Sequence, residues 1–158
     1  MNNYTKSAVV KFLSKYGKMP MADFGGGRKT TKHWEYITFP KLGITQWEIY
    51  DLEGGTKTLD LVKETVQEKF NTIICIDVLE HVRDPFAVAR NIENALNLGG
   101  YALIIAPFIY KRHGQDYFRY TEEGLKALFN NVKFISEENY KKRIDCEHSA
   151  IIIKKCQI

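Results

Sequence analysis

A run of three glycines after a short apolar segment is the first feature of the sequence that could do chemistry. Met19 to Phe24 is largely apolar and predicts a short buried strand, and Gly25-Gly26-Gly27 follows it directly. Glycines at the carboxyl end of a strand let the backbone approach a ligand closely, and open α/β sheets bind ligands at that edge. The segment therefore predicts a ligand-binding turn, with a simple flexible turn as the alternative.

Two nucleotide-binding motifs do not fit this turn. Lys29-Thr30 resembles the end of a Walker A motif, but that motif requires glycines where this sequence has Asp23 and Arg28. A dinucleotide-binding turn has glycines at its first, third and sixth positions. Gly25 and Gly27 fit that spacing, whereas Thr30 replaces the last glycine. Neither motif is therefore assigned.

A histidine in a later loop could move a proton. His113 follows the predicted strand Tyr101 to Ala106, within the loop sequence YKRHGQD. An imidazole has a pKa of about 6.5 in water, so it can accept a proton near neutral pH. We predict that His113 acts as a base, although a lone histidine is more commonly structural.

The elements before residue 71 are predicted from apolar spacing and residue type. Helical spacing predicts a helix over residues 5–16, which Gly17 ends. Trp34 to Phe39 and Gln46 to Leu52 are rich in aromatic and β-branched residues, so both are predicted strands. Residues 58–70 are predicted to form an amphipathic helix.

A strand–helix–strand unit follows. Thr72 to Ile76 predicts a strand covered on both faces, and Asp84-Pro85 predicts a capped helix start. This helix is expected to bury Phe86 and to end at Gly99-Gly100, before the strand Tyr101 to Ala106. Further expected elements are a helix capped by Thr121 and two closing strands, Val132 to Ser136 and Ser149 to Lys154. Alternating elements of this kind predict an open α/β sheet.

Length and composition indicate one globular domain over residues 1–158. The chain is 44% hydrophobic and 27% charged. Its longest apolar run, Tyr101 to Tyr110, is too short to span a membrane, and the N-terminus does not resemble a secretory signal. Three cysteines with no CxxC pair favour a cytoplasmic setting. The net charge of +4 is too small, and the basic residues too scattered, to indicate nucleic-acid binding.

Residues 71–129 carry a series of motifs in order. They are IICIDVLEHV at 73–82, Asp84-Pro85, LGGYALIIAP at 98–107, His113, DYFRYT at 116–121 and Gly124-Leu125. This series resembles class I S-adenosylmethionine-dependent methyltransferases. The resemblance is closest to the branch with a Leu-Glu-His-Val motif after the fourth strand, which is methyltransferase type 11-like. In that context Asp23-Phe24-Gly25-Gly26-Gly27 looks like the first motif of the family.

The resemblance implies a fold, a cofactor and a set of site residues. The fold would be a Rossmann-like open sheet, mostly parallel with an antiparallel C-terminal strand, and with helices on both faces. S-adenosylmethionine would be the cofactor, and no metal is implied. His81 would face the floor of the active site and His113 the acceptor, as the catalytic pair. The implied cofactor-binding residues are Asp23, Gly25, Gly26, Gly27, Asp51, Leu52, Asp77 and Val78.

The role of Asp51 depends on which segment is the second strand. If Trp34 to Phe39 is the second strand, Asp51 ends the third and lies near the adenine amino group. If Gln46 to Leu52 is the second strand, Asp51 is the carboxylate that binds the ribose hydroxyls. We favour the first alignment.

The expected reaction is methyl transfer to a small-molecule acceptor, through a hydroxyl group, with no membrane partner. A second hypothesis is a non-catalytic scaffold, because Lys29 replaces the third glycine of the family and Arg28 to His33 is short for a crossover helix. A nucleic-acid acceptor is considered unlikely, since Asp77-Val78-Leu79-Glu80 does not match the [DN]PP[YF] motif of enzymes that modify base amino groups. The oligomeric state is not predicted.

Overall fold

A computed structural model describes residues 3–27, 34–112, 114–135 and 147–157. Within these ranges, seven strands form one sheet in the order β3-β2-β1-β4-β5-β7-β6. The strands are β1 (Met21–Phe24), β2 (Glu48–Asp51), β3 (Lys57–Thr58), β4 (Phe70–Ile76), β5 (Leu96–Pro107), β6 (Val132–Ile135) and β7 (His148–Lys155). The helices are α1 (Asn3–Tyr16), α2 (Trp34–Thr38), α3 (Pro85–Ala95) and α4 (Glu122–Lys126).

The sheet has one reversed strand. β1 to β5 pair in parallel, while β7 lies between β5 and β6 and runs antiparallel to both. All parallel strands therefore end at the same edge, which is called the carboxyl edge below. The predicted fold class, a mostly parallel Rossmann-like sheet with an antiparallel C-terminal strand, is confirmed.

Apolar side chains on the two faces of the sheet form two cores. Side chains alternate between the faces along a strand. Phe24 and Ile73 therefore pack in one core with Val88 and Ile92 of α3, and Leu125 of α4 joins them. On the other face, Met21, Ile74 and Leu103 pack against Val9, Phe12 and Leu13 of α1. The expectation of helices on both faces is confirmed. No helix within the described ranges is long and apolar enough to cross a membrane.

The predicted strand Trp34 to Phe39 is wrong. This segment forms α2, in which the Phe39 amide donates to the Glu35 carbonyl at 2.8 Å, and a short 3-10 turn over Pro40–Leu42 follows. Aromatic residues favour strands only where a pleated surface can receive them. Here β2 and β4 already occupy both sides of β1, and the aromatic rings pack against each other instead, with Phe39 fully buried between Trp34 and Trp47.

The predicted helix over residues 58–70 is also wrong. After β3, this segment follows an irregular path against α3, and the side chain of buried Asn91 bonds its backbone. Asn91 donates to the carbonyls of Leu61 and Glu64 and accepts from the amide of Val66. The segment still buries Leu61 and Val66, so its apolar pattern is real. Its backbone, however, bonds to Asn91 at three points where a helix would bond to itself.

Smaller differences concern α3. The helix begins at Pro85 with Asp84 as its cap, as predicted, but it ends at Ala95, and Gly99-Gly100 lie within β5. Phe86 is not buried: 49% of its surface is exposed, since Ala87, Val88 and Ala89 supply the buried positions there. Thr121 caps α4 as predicted, with its hydroxyl accepting from the Gly124 amide.

Candidate active site

The glycine turn at the end of β1 is held between the ends of β2 and β4. The Gly25 amide donates to the Tyr50 carbonyl at 2.7 Å. A Cβ at Gly25 would overlap the Val78 side chain, and Gly25 has a φ of +80°. Both the space and the backbone conformation therefore require glycine at this position.

Asp51 is fixed beside the turn. Its Oδ2 accepts from the Gly27 amide at 2.9 Å, and its Oδ1 accepts from the Glu53 amide at 3.0 Å. Gly27 has a φ of +72°, and no atom lies within 4 Å of the position that a Cβ would take there. Open space thus lies beside an oriented carboxylate that keeps further lone pairs for a ligand.

The structure also corrects the alignment of Asp51. This residue ends β2, and β2 is the neighbour of β1. The favoured alignment, in which Asp51 ended a third strand, is therefore wrong, because Trp34 to Phe39 is helical. The alternative alignment, with a second strand between Gln46 and Leu52, is the one observed.

Two further acidic residues, Asp23 and Glu35, are buried near the turn. Asp23 is buried in β1, and a Cβ at Gly26 would lie 2.5 Å from its Oδ2. Burial raises the pKa of Asp23 to about 8, and the charges of Glu35 and Asp51 add to this effect. Glu35, a buried residue of α2, was missed by the sequence analysis because its segment was interpreted as a strand. A prediction of a helix over this segment would have identified Glu35 as a candidate buried residue.

The carboxyl groups near the turn indicate which kind of ligand could bind there. Asp23 and Asp51 lie against the glycine backbone, Glu35 is close enough to Asp23 to raise its pKa, and Asp77 follows β4 at the same edge. The ionised carboxylates among them repel phosphate groups, attract a cation and accept hydrogen bonds from hydroxyl groups of the same ligand. S-adenosylmethionine has an ammonium group, a sulfonium and a ribose diol, and it has no phosphate. The residues present therefore fit this cofactor.

Asp77 is held at the end of β4 by two contacts. It has a φ of +54°, its amide donates to the Ile105 carbonyl at 3.0 Å, and its Oδ1 lies 3.1 Å from Nε2 of His148. His148 is buried, opens β7 and pairs with Pro107. The sequence analysis missed His148, because only the pairing of β7 with β5 brings it to this edge. Of the remaining expected residues, Val78 is half-buried beside Gly25, and Leu52 is 64% exposed.

His81 belongs to a network that holds a later loop. Its Nδ1 lies 2.9 Å from the Gln115 carbonyl and 3.1 Å from Oδ1 of Asp116, whose other oxygen accepts from Arg119 at 2.6 Å. The Tyr117 amide donates to the Glu80 carbonyl at 2.7 Å. The segment from Gln115 to Arg119 is thereby docked onto the turn Leu79–His81, at the carboxyl edge.

Glu80 lies beneath this network. It is buried, and burial raises its pKa to about 7, with the charges of Asp77 and Asp116 adding to the shift and His81 opposing it. His81 itself is 36% exposed. His113, the other expected catalytic residue, lies outside the described residues, as does the segment from Arg28 to His33.

Exposed aromatic and basic side chains border the carboxyl edge. We call this surface the rim; its rings are Phe86, Phe108, Tyr110, Tyr117 and Phe118, and its basic residues are Arg83, Lys111 and Arg112. The guanidinium of Arg83 lies 5.2 Å from the ring centroid of Tyr117. The ring of Tyr110 lies 5.1 Å from that of His148, next to Asp77. The rim therefore adjoins Asp77 at the carboxyl edge.

Comparisons with known proteins agree on a family. A family model described as a methyltransferase domain matches residues 14–144. A tRNA U34 carboxymethyltransferase of Campylobacter hominis is 27% identical over 124 residues, which are 78% of this chain and 39% of the relative. The enzyme of the same name from Nautilia profundicola is 31% identical over 87 residues, covering 44% and 29% of the two chains.

A solved structure with the same fold is the N-methyltransferase NodS from Bradyrhizobium japonicum in complex with S-adenosyl-L-homocysteine. It superposes with a TM-score of 0.68 at 12% identity, covering 98% of this chain and 87% of that one. The chain spans less than two fifths of the length of the curated relatives named above.

The relatives correct one expectation. We expected a small-molecule acceptor and considered a nucleic acid unlikely, but the curated relatives are named as enzymes of tRNA. That expectation is wrong. It relied on the modest net charge and on one absent motif, whereas the fold gathers basic and aromatic residues that are separated in the sequence.

Proposed function

Because the chain belongs to the methyltransferase domain family, whose model matches residues 14–144, we propose that it transfers a methyl group to a nucleotide of RNA. Family membership confirms the predicted class of S-adenosylmethionine-dependent methyltransferase, its enzymatic nature and its cofactor. The acceptor is the proposed part. Its supports are the names of the curated relatives and the rim beside the pocket.

The observation that carries the cofactor-binding part of the proposal is the fixed carboxylate of Asp51 beside the open space at Gly27. We propose that Asp51 accepts hydrogen bonds from the ribose hydroxyls, while Gly25, Gly26 and Gly27 let the amino-acid tail lie against the backbone. Asp23, once ionised by the approach of the cation, would hold the ammonium group directly or through water, and Asp77 would lie at the far side of the same site. A bound adenine would cover the exposed side chain of Leu52 and contact Val78.

Alignment of the acceptor with the methyl group supplies much of the catalysis of such a displacement. Bound S-adenosylmethionine would supply the methyl group, with its thioether as the leaving group, and the acceptor would have to give up its proton. We propose that His113 accepts this proton, and that His81 positions the segment after it through Asp116 and the Gln115 carbonyl.

Two measurements, made one after the other, test the proposal. Isothermal titration calorimetry measures the affinity for S-adenosylmethionine and S-adenosyl-L-homocysteine, and a variant lacking Asp51 is the negative control. Radiolabelled methyl transfer is then measured on total RNA, with nuclease-treated RNA and protein extract as parallel acceptors. Mass spectrometry of the nucleosides identifies the base and the group added. Tight cofactor binding with label entering protein but not RNA would contradict an RNA acceptor.

A further inference from the structure

We infer that the rim binds unpaired RNA nucleotides next to the acceptor by stacking them on its aromatic rings. This inference rests on the proposed function and assigns a surface and a binding mode to it. Five of the six exposed aromatic side chains in the described residues belong to the rim, and Phe134 on β6 is the sixth. Exposed rings are therefore concentrated where the acceptor must enter.

The backbone that carries these rings is fixed. The Tyr117 amide is bonded to the Glu80 carbonyl, and the Phe108 amide donates to the Glu147 carbonyl at 2.9 Å. Phe118 packs on Tyr120, with ring centroids 6.0 Å apart, and the Tyr120 amide donates to the Pro107 carbonyl at 3.0 Å. A ring that is already positioned loses little entropy on binding, which favours its use as a contact surface.

The rings are exposed enough to stack with a nucleobase and buried enough to be supported by the protein. They are between 38% and 49% exposed, so each presents part of its surface to solvent while its remainder is supported by the fold. An aromatic ring presented in this way can stack a base of any identity, since every nucleobase has a π-face. Base faces are accessible in single-stranded loops and bulges but not inside a duplex. The rim therefore suits unpaired RNA better than a double helix.

Charge favours nucleic acid over an apolar partner. Arg83, Lys111 and Arg112 are exposed among the rings, where they can contact phosphates. Two of the nearby acids are paired with arginines: Oδ2 of Asp116 lies 2.6 Å from a guanidinium nitrogen of Arg119, and Oδ2 of Asp84 lies 3.7 Å from one of Arg90. Basic residues among the rings match a polyanion that also stacks. They match a purely hydrophobic protein surface less well.

The test is RNA binding by rim variants of the full chain. Fluorescence anisotropy is measured with a labelled single-stranded RNA of mixed sequence and with its duplex, at fixed salt and saturating S-adenosyl-L-homocysteine. Phe86→Ala, Phe118→Leu and Arg112→Ala change the rim, while Phe134→Ala and Lys133→Ala are the matched controls on β6. Each ring substitution is expected to weaken single-strand binding roughly fivefold to hundredfold, the worth of one base–aromatic stack. The controls should bind as the wild type does.

The outcomes separate the two proposals. Equal single-strand affinity of the rim variants and the wild type overturns the rim, as does a loss of equal size in Phe134→Ala, or duplex binding as tight as single-strand binding. If any of these results is obtained while the wild type methylates RNA normally, the proposed function is retained and the role of the rim is rejected. If the rim variants lose RNA affinity while no RNA is methylated by the wild type, the rim stands and the proposed function fails. Unchanged cofactor affinity and melting temperature exclude misfolding.

Discussion

Gly27 and Gly43 share a left-handed backbone and open space at the Cβ position, but only Gly27 lies beside a fixed carboxylate. An alanine at either position strains the backbone by about 1 kcal/mol. Gly27→Ala is expected to weaken S-adenosylmethionine binding at least tenfold, because its methyl group enters the space beside Asp51. Gly43→Ala should lower the melting temperature to a similar extent and leave the affinity unchanged. Calorimetry and thermal unfolding of the pair measure both effects.

Asp51 permits a second test with a distant control. Asp51→Ala removes the acceptor of two backbone amides and the proposed acceptor of two ribose hydroxyls. Charge-assisted hydrogen bonds of this kind contribute about 1.5–3 kcal/mol each, so the loss of even one should lower the affinity roughly tenfold to 150-fold. Glu123→Ala also removes a carboxylate, at an exposed position of α4, and should leave the cofactor affinity unchanged. Equal affinities of the two variants would remove Asp51 from the site.

The protonation of Asp23 predicts a pH dependence of stability. Its pKa in the folded protein is about 8, well above the ordinary value of 3.8, so the folded state binds more protons between these values. The free energy of unfolding should therefore fall as the pH rises through this range, by up to about 1.4 kcal/mol per unit. Glu80 contributes in the same direction only up to its pKa of about 7. Between pH 7 and pH 8 the fall should vanish in Asp23→Asn.

Urea denaturation at a series of pH values measures this effect, with Glu123→Gln as the control for an exposed carboxyl group. A wild-type stability that is flat between pH 7 and pH 8 would contradict the buried, protonated state of Asp23.

At the residue scale, the sequence was sufficient for groups whose neighbours in the chain indicate their role. The glycine turn could be identified because it follows a buried strand directly. His148 could not be found, since its approach to Asp77 depends on the order of the strands. Glu35 could not be found either, since it approaches Asp23 from a helix that was predicted to be a strand. Asp51 was identified as a site residue, but its strand was not, because that alignment required the secondary structure of Trp34 to Phe39.

Elements were predictable where both faces of a strand are buried. β4, α3 and β5 follow from uninterrupted apolar runs and a capped helix start, and their expected order was correct. The segment over residues 58–70 has the apolar spacing of a helix, and its apolar side chains are buried as those of a helix would be. Its path is set by the side chain of Asn91, 21 residues beyond its end, and local spacing cannot reveal such a partner.

Asn91 therefore offers a test of what holds this segment. Asn91→Leu leaves two buried carbonyls and one amide without their partner, at about 1–3 kcal/mol for each such group. We expect a loss of roughly 3 kcal/mol or more in the free energy of unfolding, together with faster amide hydrogen exchange over residues 59–69. Asn94→Ala, on an exposed position of the same helix, should change neither quantity. Unaltered exchange in Asn91→Leu would show that other contacts fix the segment.

At the scale of the whole molecule, two ligands at one edge should respond differently to salt. The cofactor carries no phosphate and binds among carboxyl groups, so its affinity should change little between low and high ionic strength. RNA binding releases counterions from each neutralised phosphate, so its affinity should fall steeply. The logarithmic slope should lose about one unit in Arg112→Ala. Parallel titrations over a salt series measure both, and a flat RNA curve would contradict phosphate contacts at the rim.

The position of β7 sets the order in which a growing chain can complete its sheet. β7 follows β6 in the chain, yet it lies between β5 and β6 and pairs with both. Until it leaves the ribosome, the long apolar strand β5 has an open side, and β6 has no partner in the sheet. Open strand edges of this kind template association between chains. The nascent protein therefore passes through a stage in which these strand edges are open to association with other chains, and the synthesis and pairing of β7 end that stage.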